Sequence, residues 1–320
     1  MKGKKLIVGL LLAALVSAMV VPVSAEEEVD LSEKKVAISM HFRTDDYGVI
    51  CSEAFEQTML DAGIPEENIL VTDSNSDAAQ QLNDIESMIA SGYDAIAVSP
   101  VDDQAVKDVI NKAMDQGIAV VTITYVPGAK VTSNIAAGNY DLSAAVCEKL
   151  CEAMDYKGKV ALLDITTNLW RTNQRLMAFQ DTIAQYPDME IVDTQLAISP
   201  DEAKTVAENI LQANPDLGGI FGTFSNVQYG AAQAAKDAGR DDLVIGGVDA
   251  DTSILQLMRD GYVTACAAQF PDTHGIMAAE AILHYLRGEE VEPEYTAKWK
   301  VFVAGEEEQA SEEVWGKPLE

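Results

Sequence analysis

Two polar side chains stand where strands end. The run VIGGV closes on Asp249, and VTACAAQ closes on Gln269, with Pro271 two residues later. In an open α/β sheet the carboxyl edge of the strands is where small molecules bind, so an acid and an amide delivered there by neighbouring strands are hydrogen-bonding equipment for a small polar ligand. Asp is also a favoured helix N-cap, so Asp249 has a second reading as the cap of a helix that starts near Thr252.

The elements that would carry these groups alternate. From Val36 the chain reads VAISM, a helix over Val49 to Ala62, ILVT, a helix over Ala78 to Ala90, AIAVS, a helix over Asp103 to Gln116, and AVVTIT. Short β-branched runs between helical patterns predict a parallel sheet covered on both faces. The pattern then restarts: a helix over Asp141 to Met154, KVALLD, a helix over Asn173 to Gln185, EIVDTQ, a helix over Asp201 to Ala213, GGIFG, a helix over Val227 to Ala238, and VIGGV. Four strands or so in each series predict two Rossmann-like lobes and not one sheet. Gly117 and Gly239 close equivalent helices in the two series and fit the left-handed C-cap. Tandem lobes of this kind place a cleft between them, lined by the strand ends of both. The last strand–helix unit, Val263 to Arg287, has the option of returning to the first lobe, and VFVAG of crossing again.

The composition bounds the partners. The chain has 320 residues, 48% of them hydrophobic, enough for two ordinary domains. Lys2, Lys4 and Lys5, the apolar run Leu6 to Val21 and the small residues Val23-Ser24-Ala25 read as a secretory signal over residues 1–25. An uncleaved anchor is the alternative, disfavoured by Pro22. Removing that leader takes away three lysines and no acid, so 19 cations face 52 acids, a net charge of −33. Nucleic acid and anionic lipid are poor partners for such a surface. The acidic runs at Glu26 to Glu28 and Glu306 to Glu313 read as solvated surface. Cys147 and Cys151 lie four apart on a predicted helix, where a disulfide is strained. Burial as small apolar residues suits them and Cys51 and Cys266 better, and they imply no metal. No cysteine follows the leader to carry a lipid, so the expectation is an exported, soluble, monomeric chain in the periplasm or outside the cell, without a cofactor.

Enzymatic signatures are not found: no P-loop, G-x-S-x-G, H-E-x-x-H, or G-x-G-x-x-G after a strand. None of the three histidines has a nucleophile or metal partner beside it in sequence, and nothing in the spacing of Asp45 and Asp249 favours a glycosidase pair.

From Lys35 to Val303 the chain resembles the ribose-binding type of periplasmic binding protein, the type I solute receptors of ABC sugar importers. The specific stretches are IESMIASGYDAIAVSPVDDQAV, and IFGTFSNVQYGAAQAAKDAG with VIGGVDADTSILQLMRDGYVTACAAQFPDTHG. The resemblance implies two lobes joined by three crossovers: residues 34–137 with 270–297, and residues 138–269 with 298–320. It implies capture of a sugar, sugar alcohol or similar polyol between them and delivery to a membrane permease. Asp249 and Gln269 match the family's sugar-binding acid and hinge-proximal glutamine. The loop His41-Phe42-Arg43-Thr44-Asp45-Asp46-Tyr47 matches the loop that supplies aromatic rings, with Tyr47 on one ring position and Gly48 on the next. Asn173 falls on the usual ligand-binding arginine, and Arg175 on a nearby arginine of structural type. Two positions depart from the pattern. Thr124-Tyr125 stands where many sugar receptors have Asp-Arg, and Phe224-Ser225 where an Asn-Asp pair is usual. An acid and a fork of donors are lost, and aromatic area is gained, which argues against a pyranose-type constellation.

The ligand-binding set expected from all this is Asp249, Gln269, Asp45, Arg43, Asn139 and Asn173 for hydroxyl groups, with Tyr47, Tyr125, Trp170 and Phe224 covering the apolar face of the ligand. Competing structural readings exist for several. Trp170 anchors a loop, Phe224 is core, Arg43 pairs with Asp45 or Asp46, Asn139 is a turn residue beside Gly138, and His41 is a satisfied side chain at the first strand end. His274 and His284 fall on a helix. Two other functions fit the same pattern: a receptor that signals instead of transporting, and the effector domain of a LacI-type repressor. The export signal and the lack of a basic helix-turn-helix segment argue against the second.

Overall fold

The computed structural model describes residues 29–44, 46–165 and 169–319. The leader expected over residues 1–25, and Asp45 of the expected binding set, lie outside the described residues.

Two six-stranded sheets organise the chain. The first contains β1 (Val36–Met40), β2 (Ile69–Asp73), β3 (Ala95–Val98), β4 (Ala119–Ile123), β5 (Ser133–Ala136) and β11 (Glu294–Thr296). Their order is β11-β5-β4-β3-β1-β2 and all pair in parallel, with Val36 opposite both Ile69 and Ala95. The second contains β6 (Gly158–Asp164), β7 (Met189–Leu196), β8 (Leu217–Gly222), β9 (Val244–Val248), β10 (Ala265–Gln269) and β12 (Trp299–Val303). Its order is β12-β10-β9-β8-β6-β7, parallel except for β12, which runs against β10.

Alternation along each strand feeds two cores per sheet, as expected where helices cover both faces. Val36, Ile38 and Met40 point into one cluster with Phe55 and Ile282, while Ala37 joins Ile85, Val106 and Ile110 on the other side. The first face is covered by α1 (Asp46–Asp61) and α9 (Pro271–Arg287), the second by α2 (Ala78–Ala90) and α3 (Asp103–Asp115). In the second lobe Phe221 packs with Phe179 under α4 (Asn139–Ala153) and α5 (Trp170–Ile183). Ile220 faces α6 (Pro200–Ala213), α7 (Ser225–Ala238), α8 (Thr252–Arg259) and α10 (Glu307–Trp315).

The chain passes between the sheets three times: from β5 into α4, from β10 into α9, and from β11 into β12. The first passage turns at Gly138, whose φ of 62° suits glycine, with the Trp299 indole 3.4 Å from where a Cβ would stand. Helix α9 lies against α1 so closely that a methyl group on Gly275 would stand 2.0 Å from the Cys51 carbonyl oxygen. At the third passage the Lys298 ammonium sits 3.7 Å from the centre of the Phe270 ring, which belongs to the second.

Several expected boundaries move. Strands β5 and β11 do not stand out in the sequence because they are short and polar. Asp251, not Asp249, caps α8, its carboxylate accepting from the Ile254 N–H at 3.0 Å. Helix α5 begins three residues earlier than expected, at Trp170, for a reason found across the cleft. The four cysteines are buried and form no disulfide among the described residues.

Candidate functional site

The carboxyl ends of β1, β3 and β4 in one lobe meet those of β6, β8, β9 and β10 in the other, and the groups between them form the site. Asp249 follows β9 with φ 76°, and its own N–H donates to the Ala267 carbonyl at 2.9 Å. Thr124 follows β4 with φ 104°. Non-glycine residues held there cost on the order of 1–3 kcal/mol each and persist where the surroundings require them. The effect is to turn Asp249 and Tyr125 away from the strand direction.

Asp249 and Gln269 are brought together as expected: the Gln269 Nε2 donates to Asp249 Oδ1 at 2.7 Å. The Gln269 Oε1 accepts no hydrogen bond among the described residues. Burial pushes the Asp249 carboxyl above its ordinary value, while Arg175, Gln269 and the Ser225 N–H pull it back.

Arg175 lies deeper. It is 1% exposed, donates from Nε to Asn139 Oδ1 at 2.9 Å and from Nη1 to the Thr223 carbonyl at 2.7 Å, and stands 4.0 Å from Asp249 Oδ2. Its guanidinium also lies over the Phe224 ring at 4.3 Å. Burial lowers its pKa to about 10, against the opposing pull of Asp249. Asn139 is therefore a buried support for Arg175, neither a turn residue nor a group open to the cleft. Phe224 is half-buried, packed on the core below and against Arg175 and Arg171.

The sequence reading missed Arg171. Its guanidinium is 5.8 Å from the Phe224 ring and makes no hydrogen bond or ion pair among the described residues. Burial lowers its pKa, opposed by Asp103, Tyr47 and Asp249. Tyr47 belongs to the opposite lobe, yet the charges of Arg171, Asp249 and Arg175 all reach its phenol, which burial pushes well up. The Tyr47 ring stands 6.4 Å from His41 and 5.7 Å from His274. His41 hydrogen-bonds through Nδ1 with Ser99 Oγ at 2.8 Å, and burial, then the Arg171 charge, lowers its pKa to about 3. It faces the cleft as a neutral imidazole. His274, on α9, donates from Nδ1 to the Phe270 carbonyl at 3.0 Å and is lowered by burial to about 4.

The remaining expected residues divide. Trp170 and Tyr125 meet edge-on across the cleft at 5.1 Å, with Tyr125 41% exposed. Trp170 is thus more than a loop anchor. Arg43 donates from Nε to Ser52 Oγ at 2.7 Å, so it is tied to α1; Asp46 pairs with Lys317 at 3.3 Å. Asn173 sits half-buried on α5, two residues from each of Arg171 and Arg175. The last missed group is Asp103, which is 2% exposed and accepts from the Trp170 backbone N–H at 2.6 Å across the cleft. Two adjacent acids, Asp102 and Asp103, at a helix start were the available signal, since one suffices as a cap. Asp102 is that cap, accepting from the Ala105 N–H at 2.8 Å.

A cavity of about 470 Å³ opens elsewhere, at the amino edge of the first sheet, and its Lys34 and Asp94 are already paired at 2.9 Å. Among the described residues no cluster of His, Cys, Asp or Glu is arranged to hold a metal ion, and no helix is long and apolar enough to cross a membrane.

Comparison with known proteins agrees with this architecture. The ribose import binding protein of Bacillus subtilis is 28% identical over 235 residues, 73% of this chain and 76% of that one. A putative rhizopine-binding protein of Rhizobium meliloti is 29% identical over 301 residues, 90% of this chain and 93% of that one. Among solved structures, a periplasmic solute binding protein of an ABC transporter from Actinobacillus succinogenes, with bound D-allose, superposes with a TM-score of 0.79 at 25% identity, covering 87% of this chain and 100% of its own. A glucose-galactose binding protein from Geobacillus stearothermophilus gives 0.80 at 20% identity, covering 85% and 97%. The family model for the periplasmic binding protein domain matches residues 36–290. With its two sheets, three crossovers and polar interlobe cleft, the chain belongs to the periplasmic binding protein family.

Proposed function

We propose that this protein is an extracytoplasmic receptor that captures a sugar, sugar alcohol or similar small polyol in its cleft and delivers it to an ABC importer. The observation that carries this reading is the Asp249–Gln269 pair, bonded at 2.7 Å and facing Tyr47 and Arg171. A hydroxyl group both donates and accepts. Asp249 and the Gln269 Oε1 accept, and Arg171 donates, so a polyol finds partners of both kinds. Tyr47, Tyr125, Trp170 and Phe224 cover its C–H face, as saccharide recognition requires. Arg43 and Asn173 complete the proposed set of hydroxyl partners. The ribose and allose assigned to the related proteins are ligands of this chemical class.

Transport follows from the lobes acting as a trap. Residues 34–137 with 270–297 move as one body, residues 138–269 with 298–320 as the other, and the three crossovers bend. The exported, monomeric chain presents its closed form to the permease.

The test is a thermal-shift screen over pentoses, hexoses, inositols and linear polyols, since a ligand that binds the native state alone raises its melting point. For the compound that binds, Asp249→Ala lowers affinity about tenfold or more, because one charge-assisted hydrogen bond contributes about 1.5–3 kcal/mol. Calorimetry showing equal affinity for that compound removes Asp249 from the site, and no shift across the whole panel removes the function.

A further inference from the structure

We propose that Asp103 is a positioning residue that holds the cleft shut at its mouth, its carboxylate taking the first backbone N–H of α5 from the opposite lobe. The contact is protein to protein and does not depend on which ligand the cleft takes.

Position in the fold gives it leverage. The three crossovers gather at β5 and β11 in one sheet and at β10 and β12 in the other. Asp103 follows β3, two strands beyond β5, and Trp170 follows β6, three strands beyond β10. The bond therefore spans the cleft away from the hinge, where a given rotation opens a wider gap than at the crossovers. Leu169, at the cap position of α5, has no side-chain oxygen with which to cap, so the helix takes its cap from the other lobe. A carboxylate at a helix N-terminus also meets the positive end of the macrodipole. This is why α5 starts at Trp170 and not at Asn173.

Two further observations make the contact more than a chance approach. Asp103 is 2% exposed, so its carboxylate is enclosed by the interface and not shared with solvent, and with Oδ1 lacking a hydrogen-bond partner among the described residues the Trp170 N–H is the donor that offsets the cost of that burial. The same contact seats the Trp170 ring edge-on against Tyr125 and aims Arg171, the next residue, into the cleft. By contrast the second cross-lobe strap, Lys317 to Asp46, joins side chains that are 52% and 47% exposed and holds little. With the latch formed, part of the ligand-free population already has the closed geometry, and a ligand that binds it loses less affinity to reorganisation.

Electron spin resonance on labelled cysteines tests this. Ala79→Cys and Asp201→Cys place one label on each lobe, at exposed helix starts far from the hinge, and the native cysteines are buried. The full chain is unfolded and refolded to strip bound ligand, and its distance distribution is compared with those of Asp103→Leu and Asp103→Asn in the same labelled background. The expected result is a short-distance population in the parent chain, whose ratio to the long-distance one falls about tenfold or more in Asp103→Leu. Asp103→Asn, which keeps an acceptor oxygen, lies between, a graded rescue that a merely structural role would not produce. Either a ligand-free parent with the long distance alone, or identical distributions in the parent and both variants, overturns the proposal. Should Asp103→Leu fail to fold, Asp103→Asn against the parent decides it.

Discussion

Replacing Arg175 by methionine removes the most deeply buried charge of the cleft and tests how the site is held together. Three terms oppose folding in the variant. The Asn139 Oδ1 and the Thr223 carbonyl lose their donor, at about 1–3 kcal/mol for each buried acceptor left unpaired. Asp249 loses a cation 4.0 Å away, worth about 4 kcal/mol at an effective dielectric of 20 and less here because its side chain is 24% exposed. One term favours the variant. The desolvation of the guanidinium, which outweighs the pull of Asp249 and lowers the Arg175 pKa to about 10, costs several kcal/mol that methionine regains. The balance is a loss of about 2–4 kcal/mol, in line with the removal of one partner from a buried pair. Urea denaturation followed by circular dichroism reads it as a lower midpoint at constant slope. Adding Asp249→Asn to the variant should return about 1–2 kcal/mol, since the stranded carboxylate is then neutral. A loss below about 1 kcal/mol would show that the guanidinium does no more than offset its own desolvation, and the account of Arg175 as the keystone under Asp249 would fall.

Acid should destabilise the protein in the window where unfolded histidine titrates. The His274 pKa is depressed from 6.5 to about 4, so its contribution is complete above pH 6.5 and is lost as pH falls towards 4, giving about 2 kcal/mol less stability at pH 5 than at pH 7.5. His41 adds to the loss, discounted because it faces the cleft, whereas Asp249 and Asp103 have raised values and regain stability as they protonate. Denaturant curves at the two pH values for the parent and for His274→Gln check this, and the same pH dependence in both would place His274 in water. Gly275→Ala should lower stability by about 2 kcal/mol or more, because the new methyl group meets backbone of α1, which cannot rotate aside. A melting temperature within a degree of the parent would mean that α1 and α9 are not in contact.

What could be read in the sequence was local or periodic. Short continuous apolar runs between helical patterns marked the strands that both cores need, and Asp249 and Gln269 stood out because a strand pattern stops at each. Strands β5 and β11 escaped because they are only four and three residues long and mix polar with apolar residues, even though SNIA is buried throughout. The hidden part of the site is non-local. Arg171 and Arg175 differ in role because one meets Asn139, Thr223 and Asp249 while the other meets open cleft, and nothing within the stretch WRTNQR distinguishes them. Asn139 looked like a ligand donor for the same reason: its partner is 36 residues away. The start of α5 depended on a carboxylate 67 residues earlier in the chain, on the other lobe.

A trap must close firmly yet open again, and the chemistry of this interface suits that demand. Had the two lobes met through apolar surfaces like those inside each one, burying even two large side chains would have contributed about 3–6 kcal/mol and kept the cleft shut. The facing groups are instead polar or amphipathic: Asp249, Gln269, Arg171, Tyr47, Tyr125 and Trp170. Water satisfies them when the lobes part, and a polar ligand can satisfy them when the lobes meet, so the difference between the two states depends on the ligand. A single charge-assisted hydrogen bond at the mouth, from the Trp170 N–H to Asp103, has the right size to bias that balance without fixing it, since about 1.5–3 kcal/mol shifts a two-state ratio by about ten- to a hundredfold. A second such latch would hold the empty cleft closed against its own ligand, and with no latch the ligand alone would have to draw the lobes together.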